Sequence, residues 1–210
     1  MAYLSIQNIT FGYDKADPVI SGFSLTISKG QRLAVKSDSG TGKTTLLRLL
    51  LGFEIPQKGS ILFEGTPIPD NHYSSIRRST AWLPQVLNIG DGTVDEVIGR
   101  IFEFGRNRGK KPRNETISET LAALHLPASI RQEAFRDLST GQRQRVGLAL
   151  CHLLDRPLLL LDEPTSALDR TAKQKAIDLL FADPGRTIIS TTHDPFWLDR
   201  CGTIIELDNR

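Results

Sequence analysis

Residues 158–163 read "LLLLDE", set between Pro157 and Pro164. Four leucines in succession leave no polar face, which is the pattern of a strand buried on both sides. A sheet containing such a strand is covered by helices above and below. The chain is therefore expected to be α/β with a mostly parallel sheet. The run ends in two adjacent carboxylates, Asp162 and Glu163. In a parallel sheet the C-terminal edge of the strands is where ligands bind. A solvated strand end is the plainer alternative, but two acids placed between four leucines and a proline are a more specific pattern than that.

The remaining elements follow from periodicity and punctuation. "YLSIQNITFGY" alternates, "FSLTI" follows, and a Lys29-Gly30 turn leads into "RLAVK". These read as three strands, the first two antiparallel. "KTTLLRLLLG" carries leucine on most faces and stops at Gly52, so it is a largely buried helix. "SILFEG" is a short strand before a turn at Gly65, and "STAWLPQ" is a strand broken by Pro84.

From about Val86 to Leu154 the pattern is helical. Thr93 and Glu96 stand at capping-box spacing before "VIGRIF", and Ser139 and Gln142 repeat that spacing before "RVGLALCHLL". "NETISETLAALHL" is a further amphipathic helix between them. After the leucine strand come a helix over Arg170–Phe181, a strand over Thr187–Thr191, a short helix started by Asp194-Pro195, and a last strand, "TIIEL". The expected organisation is one unit over 1–210. Within it, 1–85 and 155–210 form a core with an antiparallel β-subdomain on the N-terminal side, and 86–154 is a helical insertion.

Between the strand "RLAVK" and the following helix lies "SDSGTGKTT": Ser37, Asp38, Ser39, Gly40, Thr41, Gly42, Lys43, Thr44 and Thr45. Its end matches the phosphate-loop pattern G-x-x-x-x-G-K-[ST], with Ser37 in place of the first glycine. Unpaired N–H groups at a helix N-terminus attract an anion. Gly40 and Gly42 let the backbone approach phosphate oxygens without an intervening Cβ. Lys43 would reach the β- and γ-phosphates and the Thr44 hydroxyl would ligate Mg²⁺. Asp162 would hold the shell of that ion, and Glu163 would orient or deprotonate a water. An ordinary glycine-rich turn is the alternative, and the paired acids argue against it.

Composition narrows the partners. Lys and Arg number 26 against 24 Asp and Glu, a net charge of +2, so nothing draws the chain strongly to nucleic acid or an anionic surface. No nucleic-acid partner is expected. The basic run Gly105–Arg113 reads as a solvated loop. Two cysteines, Cys151 and Cys201, make no disulfide framework and suit a reducing compartment; Cys151 sits in an apolar helical pattern as a buried thiol. No secretory signal and no run long enough to span a bilayer is present, so a soluble chain is expected, with any membrane role exerted through a partner.

The motifs in this order resemble those of the ATP-binding-cassette (ABC) ATPase family from end to end. "LSTGQRQRVGLAL" is similar to that family's LSGGQ signature, with Thr140 in place of the first glycine of its pair. The resemblance implies a RecA-like P-loop NTPase core. It implies that Tyr13 stacks on adenine and that Gln85 meets Mg²⁺ and the attacking water. Ser139, Gly141 and Gln142 would contact the γ-phosphate of ATP held by a second subunit. Glu163 would be the catalytic carboxylate, Ser166–Asp169 ("SALD") the D-loop at the dimer interface, and His193 the switch histidine at the γ-phosphate.

Further expectations come from the same resemblance. The cofactors are ATP and Mg²⁺. Two copies form a homodimer on ATP binding and energise a separate transmembrane permease subunit. The location is cytoplasmic, peripheral on the inner face of the plasma membrane. The chain stops soon after its last strand, which implies no appended regulatory domain. The alternatives are an ATP-driven clamp acting on a non-transport partner, and a slow nucleotide-sensing switch in which Ser37 and Thr140 reduce turnover.

Overall fold

A computed structural model describes residues 2–14, 17–36, 40–69 and 73–207. The chain runs β1 (Ala2–Phe11), β2 (Ile20–Ser28), β3 (Arg32–Lys36), α1 (Lys43–Leu50), β4 (Lys58–Phe63), β5 (Thr66–Pro67), α2 (Ser74–Ser79) and β6 (Thr80–Leu83). It continues with α3 (Val94–Glu103), α4 (Asn114–Ala123), α5 (Thr140–Leu153), β7 (Leu158–Asp162), α6 (Arg170–Leu180), β8 (Thr187–Thr191), α7 (Pro195–Leu198) and β9 (Thr203–Glu206).

Two sheets result. One has the order β6-β7-β8-β3-β9 with every pairing parallel. The other has the order β2-β1-β4-β5 and is antiparallel, with β1 paired to β2 as expected. The leucine run is β7, one strand in from the edge of the parallel sheet. Leu159 and Leu161 belong to the core formed with α3, α4, α5 and α6, while Leu158 and Leu160 pack with α1, β3 and the antiparallel sheet. All four are fully buried, each worth about 1.5–3 kcal/mol of transfer free energy. The absence of alternation in β7 is thus the signature of its two covered faces.

Both capping boxes form. Thr93 and Glu96 satisfy each other's backbone N–H at the start of α3, and Ser139 and Gln142 do so at the start of α5. Asp194 caps α7 with Pro195 in the first turn, and α6 ends one residue before the expected Phe181. Residues 105–113 form a largely exposed loop with one 3-10 turn. Cys151 is buried, and burial pushes its thiol up to about 12.

Two elements lie outside the sequence expectation. Strand β5 is two residues long, and α2 has six residues with a single buried apolar one, Ile76. Neither is long enough to repeat its period, so no pattern shows. Tertiary bonds hold α2 in place: Arg77 donates from Nε to the Leu51 carbonyl at 2.6 Å and from Nη2 to the Gly52 carbonyl at 2.8 Å. These bonds also satisfy carbonyls at the end of α1, which helix geometry leaves unpaired.

Candidate active site

The C-terminal ends of β3, β7 and β8 meet the N-terminus of α1 at one edge of the parallel sheet. A cleft of about 430 Å³ opens there, lined by Tyr13, Val19, Gly40, Gly42, Lys43, Thr44, Thr45, Gln85, Asp162 and Glu163. Residues brought in from four separate stretches of sequence therefore share one space. Ser37, Asp38 and Ser39 lie outside the described residues.

The loop geometry explains its glycines. Gly42 caps α1 with φ 95°, in the left-handed region that side chains avoid, and its carbonyl accepts from the Leu46 N–H at 2.8 Å. A Cβ there would fall 2.7 Å from Val19 Cγ1, a contact that cannot stand without movement. The first turn of α1 then presents Lys43 and Thr44 to the cleft, while Thr45 is buried beneath. Tyr13 is 67% exposed, with its ring edge-on to Phe11 at 5.2 Å. Its hydroxyl shares a 3.3 Å hydrogen bond with Thr45 Oγ1. The ring face is thus held at the mouth of the cleft.

The acidic pair is built differently at its two positions. Asp162 is 2% exposed, and both its oxygens accept hydroxyl hydrogen bonds, Oδ2 from Thr44 at 2.7 Å and Oδ1 from Thr191 at 2.5 Å. Glu163 is 6% exposed and carries φ 50°, left-handed backbone in a non-glycine residue. Such backbone costs on the order of 1–3 kcal/mol and persists where the surroundings hold it. Its N–H donates to the Thr191 carbonyl at 3.0 Å, and its Oε1 lies 3.1 Å from His193 Nδ1.

His193 follows β8 with its side chain 71% exposed, and the next residue, Asp194, is anchored to the elements around it. That carboxylate accepts from Thr165 Oγ1 at 2.6 Å, from Lys173 at 2.8 Å and from the Phe196 N–H at 3.1 Å. Burial alone would raise the Asp194 carboxyl, but the hydrogen bonds from Lys173, Thr165 and Phe196, with the Lys173 charge, outweigh it and hold the carboxyl below its usual value.

Ser139, Gly141 and Gln142 do not line this cleft. They form the first turn of α5, with Ser139 Oγ accepting from the Gln142 N–H at 3.2 Å. Gln85 touches both regions, since it also lines an adjoining groove of about 170 Å³ shared with Thr140, Arg143, Gln144, Ser166 and Ala167. The two glycine positions of this turn differ sharply. A Cβ on Gly141 would sit 2.8 Å from the Ala167 carbonyl oxygen, so the backbone of that turn leaves no room for one. Thr140 is exposed and its side chain is accommodated.

Sequence reading passed over three polar residues that organise the site. Thr191 carries a hydroxyl at the end of a fully buried strand, and Gln144 is a buried amide in the polar first half of α5, between Arg143 and Arg145. Asp194 reads only as a helix cap. In each case the available signal was a polar side chain at a position due for burial, where a partner is required.

Comparison with known proteins places the chain. Residues 20–166 match the family model described as ABC transporter. An Fe(3+) ions import ATP-binding protein from Mesorhizobium japonicum is 36% identical over 197 residues, 92% of this chain and 54% of that protein. An ATP-dependent lipid A-core flippase from Saccharophagus degradans is 32% identical over 98% of this chain and 36% of its own length. The chain therefore spans about half or less of the length of these curated relatives.

Among solved structures, a bacterial Atm1-family ABC exporter with ATP bound superposes with a TM-score of 0.87 at 28% identity, over 98% of this chain and 37% of that one. A dimeric post-hydrolysis state of the ATP-binding cassette MJ0796, bound to ADP and Pi, gives 0.84 at 26% identity, over 98% of this chain and 94% of the cassette. The RecA-like α/β architecture, the family match and the likeness to whole cassettes agree, and the chain belongs to the ABC transporter family as one of its ATP-binding ATPase cassettes.

Proposed function

We propose that this chain binds Mg-ATP in the cleft at the head of α1, closes around two nucleotides with a second copy, and drives a separate transmembrane subunit. The observation that carries this reading is the division of the motifs between two surfaces. Lys43, Thr44, Asp162, Glu163 and Gln85 share the cleft with the exposed ring of Tyr13, while Ser139, Gly141 and Gln142 face elsewhere. A second copy arranged head to tail brings that turn of α5 onto the nucleotide, with the positive end of the helix toward the γ-phosphate. The dimeric cassette structures among the relatives support such a pairing.

The roles follow from chemistry. Tyr13 stacks on the base, and the Gly40–Thr45 turn with Lys43 cradles the phosphates. Mg²⁺ fits the donor set: the Thr44 hydroxyl, the Asp162 carboxylate and the Gln85 amide oxygen are hard ligands. Among the described residues no group of three or more His, Cys, Asp or Glu gathers to cage a metal, which suits an ion held mostly by substrate phosphates and water. Bound there, Mg²⁺ supplies neutralisation of charge on the β- and γ-oxygens. Glu163 orients the attacking water and accepts its proton, and His193 fixes the carboxylate and reaches toward the γ-phosphate.

Residues 86–154 serve as a helical subdomain that passes motion to the membrane subunit. Among the described residues no helix is long and apolar enough to cross a membrane, so we place the chain at the cytoplasmic membrane face through that partner. The named relatives include both an importer and a flippase, and this fits a cargo and direction chosen by the membrane subunit.

Glu163→Gln tests the reading. The variant should bind Mg-ATP, hydrolyse it at least a hundredfold more slowly, and persist as a dimer on size-exclusion chromatography, while Ser139→Ala added to it should weaken that dimer. Hydrolysis at the wild-type rate by Glu163→Gln would sink the assignment of the catalytic carboxylate.

A further inference from the structure

Gln144 stands one turn beyond the start of α5, 8% exposed, among the buried positions of that helix. Its amide spans the gap to the turn that follows β7. Nε2 donates to the Glu163 carbonyl at 2.6 Å and more weakly toward Ser166 Oγ at 3.4 Å, while Oε1 accepts from the Ala167 N–H at 3.0 Å. Both ends of the amide are therefore used, and both on backbone groups of the same short turn. Gly141, three residues earlier on the helix, meets the Ala167 carbonyl so closely that a Cβ would lie 2.8 Å from it. Two independent features thus hold α5 against residues 163–167.

The turn being held is the strained one. The left-handed backbone of Glu163 requires its N–H and C=O to be fixed from outside. The Thr191 carbonyl takes the N–H at 3.0 Å, and Gln144 supplies the shortest bond to the C=O, where the Ser166 hydroxyl and N–H approach only to 3.2 and 3.3 Å. Without this bond the carbonyl keeps the longer Ser166 contacts alone, and the residue gains room to relax toward ordinary backbone, which swings its side chain relative to the cleft. A displacement of about 1 Å at a reacting group lowers turnover by roughly a hundredfold. Lys43 and Thr44 sit on α1, outside this turn, and the Thr44 hydroxyl bonds Asp162 at the end of β7 rather than the turn itself.

We infer that Gln144 is a positioning residue for hydrolysis: it fixes the backbone of Glu163 and so registers the carboxylate against the cleft from the helix whose first turn carries Ser139. The inference rests on the reading of Glu163 given above. In the sandwich, Ser139 and Glu163 of one subunit serve opposite nucleotides, so this amide joins the two sites within a single chain.

The test uses the full chain and three variants, with kcat and KM for Mg-ATP and the thermal midpoint measured for each. Gln144→Glu keeps the shape and the acceptor for Ala167 but replaces the donor facing the Glu163 carbonyl with an oxygen. Gln144→Met keeps the length and removes all three amide hydrogen bonds. Both should lower kcat tenfold or more with KM changed less than about threefold, in assays run well below each midpoint. If Gln144→Met fails to fold, Gln144→Glu carries the same expectation. A kcat within twofold of wild type in Gln144→Glu, or a loss appearing only in KM, overturns the inference, provided Glu163→Gln measured alongside is inactive. If Glu163→Gln itself turns over normally, the underlying reading fails and this inference falls with it.

Discussion

Replacing Thr191 by valine tests how the acidic pair is held. Thr191 is fully buried at the end of β8, and its hydroxyl donates to Asp162 Oδ1 at 2.5 Å. Valine has nearly the same shape, so packing is kept; lost are the bond to Asp162 and a longer one, at 3.3 Å, that the same hydroxyl accepts from the Glu163 N–H, which keeps its 3.0 Å bond to the Thr191 carbonyl. A hydrogen bond to a charged acceptor contributes about 1.5–3 kcal/mol, and here the carboxylate oxygen left behind faces a methyl group with little access to water. Burying that methyl returns at most about 0.8 kcal/mol. The net cost is about 0.7–2.2 kcal/mol, which for a domain of this size lowers the thermal midpoint by roughly 1–9 °C. Thr191→Ser is the control, because it loses a methyl but keeps the hydroxyl.

Differential scanning calorimetry gives the stability, and steady-state hydrolysis at limiting and saturating Mg²⁺ gives the function. On the role proposed for Asp162 at Mg²⁺, Thr191→Val should lose activity most at limiting Mg²⁺, while Thr191→Ser stays close to wild type. Equal losses in the valine and serine variants would show that packing, and not the bond, is what Thr191 supplies. A valine variant as stable and active as wild type would refute the account of Asp162 altogether.

Two further outcomes follow from the geometry. Gly141→Ala gains about 1 kcal/mol of helix propensity but meets the Ala167 carbonyl, an overpacking cost of about 1–3 kcal/mol; it should be less stable than wild type and hydrolyse more slowly, whereas Thr140→Gly changes stability by under about 0.5 kcal/mol, both read by denaturant melts and ATPase assay. The Asp194 carboxyl lies below its usual value in the fold, so its contribution is present above the unfolded value of about 3.9 and fades as pH falls through the folded one. The deficit of Asp194→Asn in thermal midpoint should accordingly be largest near neutrality and shrink in acid, and an equal deficit at both ends of the range would count against this role.

The parts legible in the sequence were those whose signals are local. The leucine run of β7 could be placed because burial on both faces erases alternation, and α3 and α5 because a capping box fixes a helix start within four residues. The phosphate loop was legible because Lys43 and Thr44 adjoin Gly42 in sequence as they do in space. By contrast, α2 is stabilised by Arg77 reaching carbonyls 25 and 26 residues away, which no window of sequence contains. Thr191 and Gln144 escaped for the same reason: their partners, Asp162 and the 163–167 turn, become neighbours only once α5, β7 and β8 are assembled. The exposed Thr140 and the crowded Gly141 look equivalent as a pair in sequence, and only the position of the Ala167 carbonyl separates them.

Strand β3, which leads into the phosphate loop, has β8 and β9 as its two neighbours in the parallel sheet. Its own residues end at Lys36, while its partners begin at Thr187 and Thr203. A ribosome emits the loop early and its platform late. At about 5–20 residues per second, roughly 8–34 s separate Lys36 from the strands that flank it. Throughout that interval the glycine loop has no sheet beneath it and so no fixed cradle for an anion. Competence for nucleotide therefore waits until β9 has emerged, and a truncated product lacking β8 and β9 should fail to bind ATP.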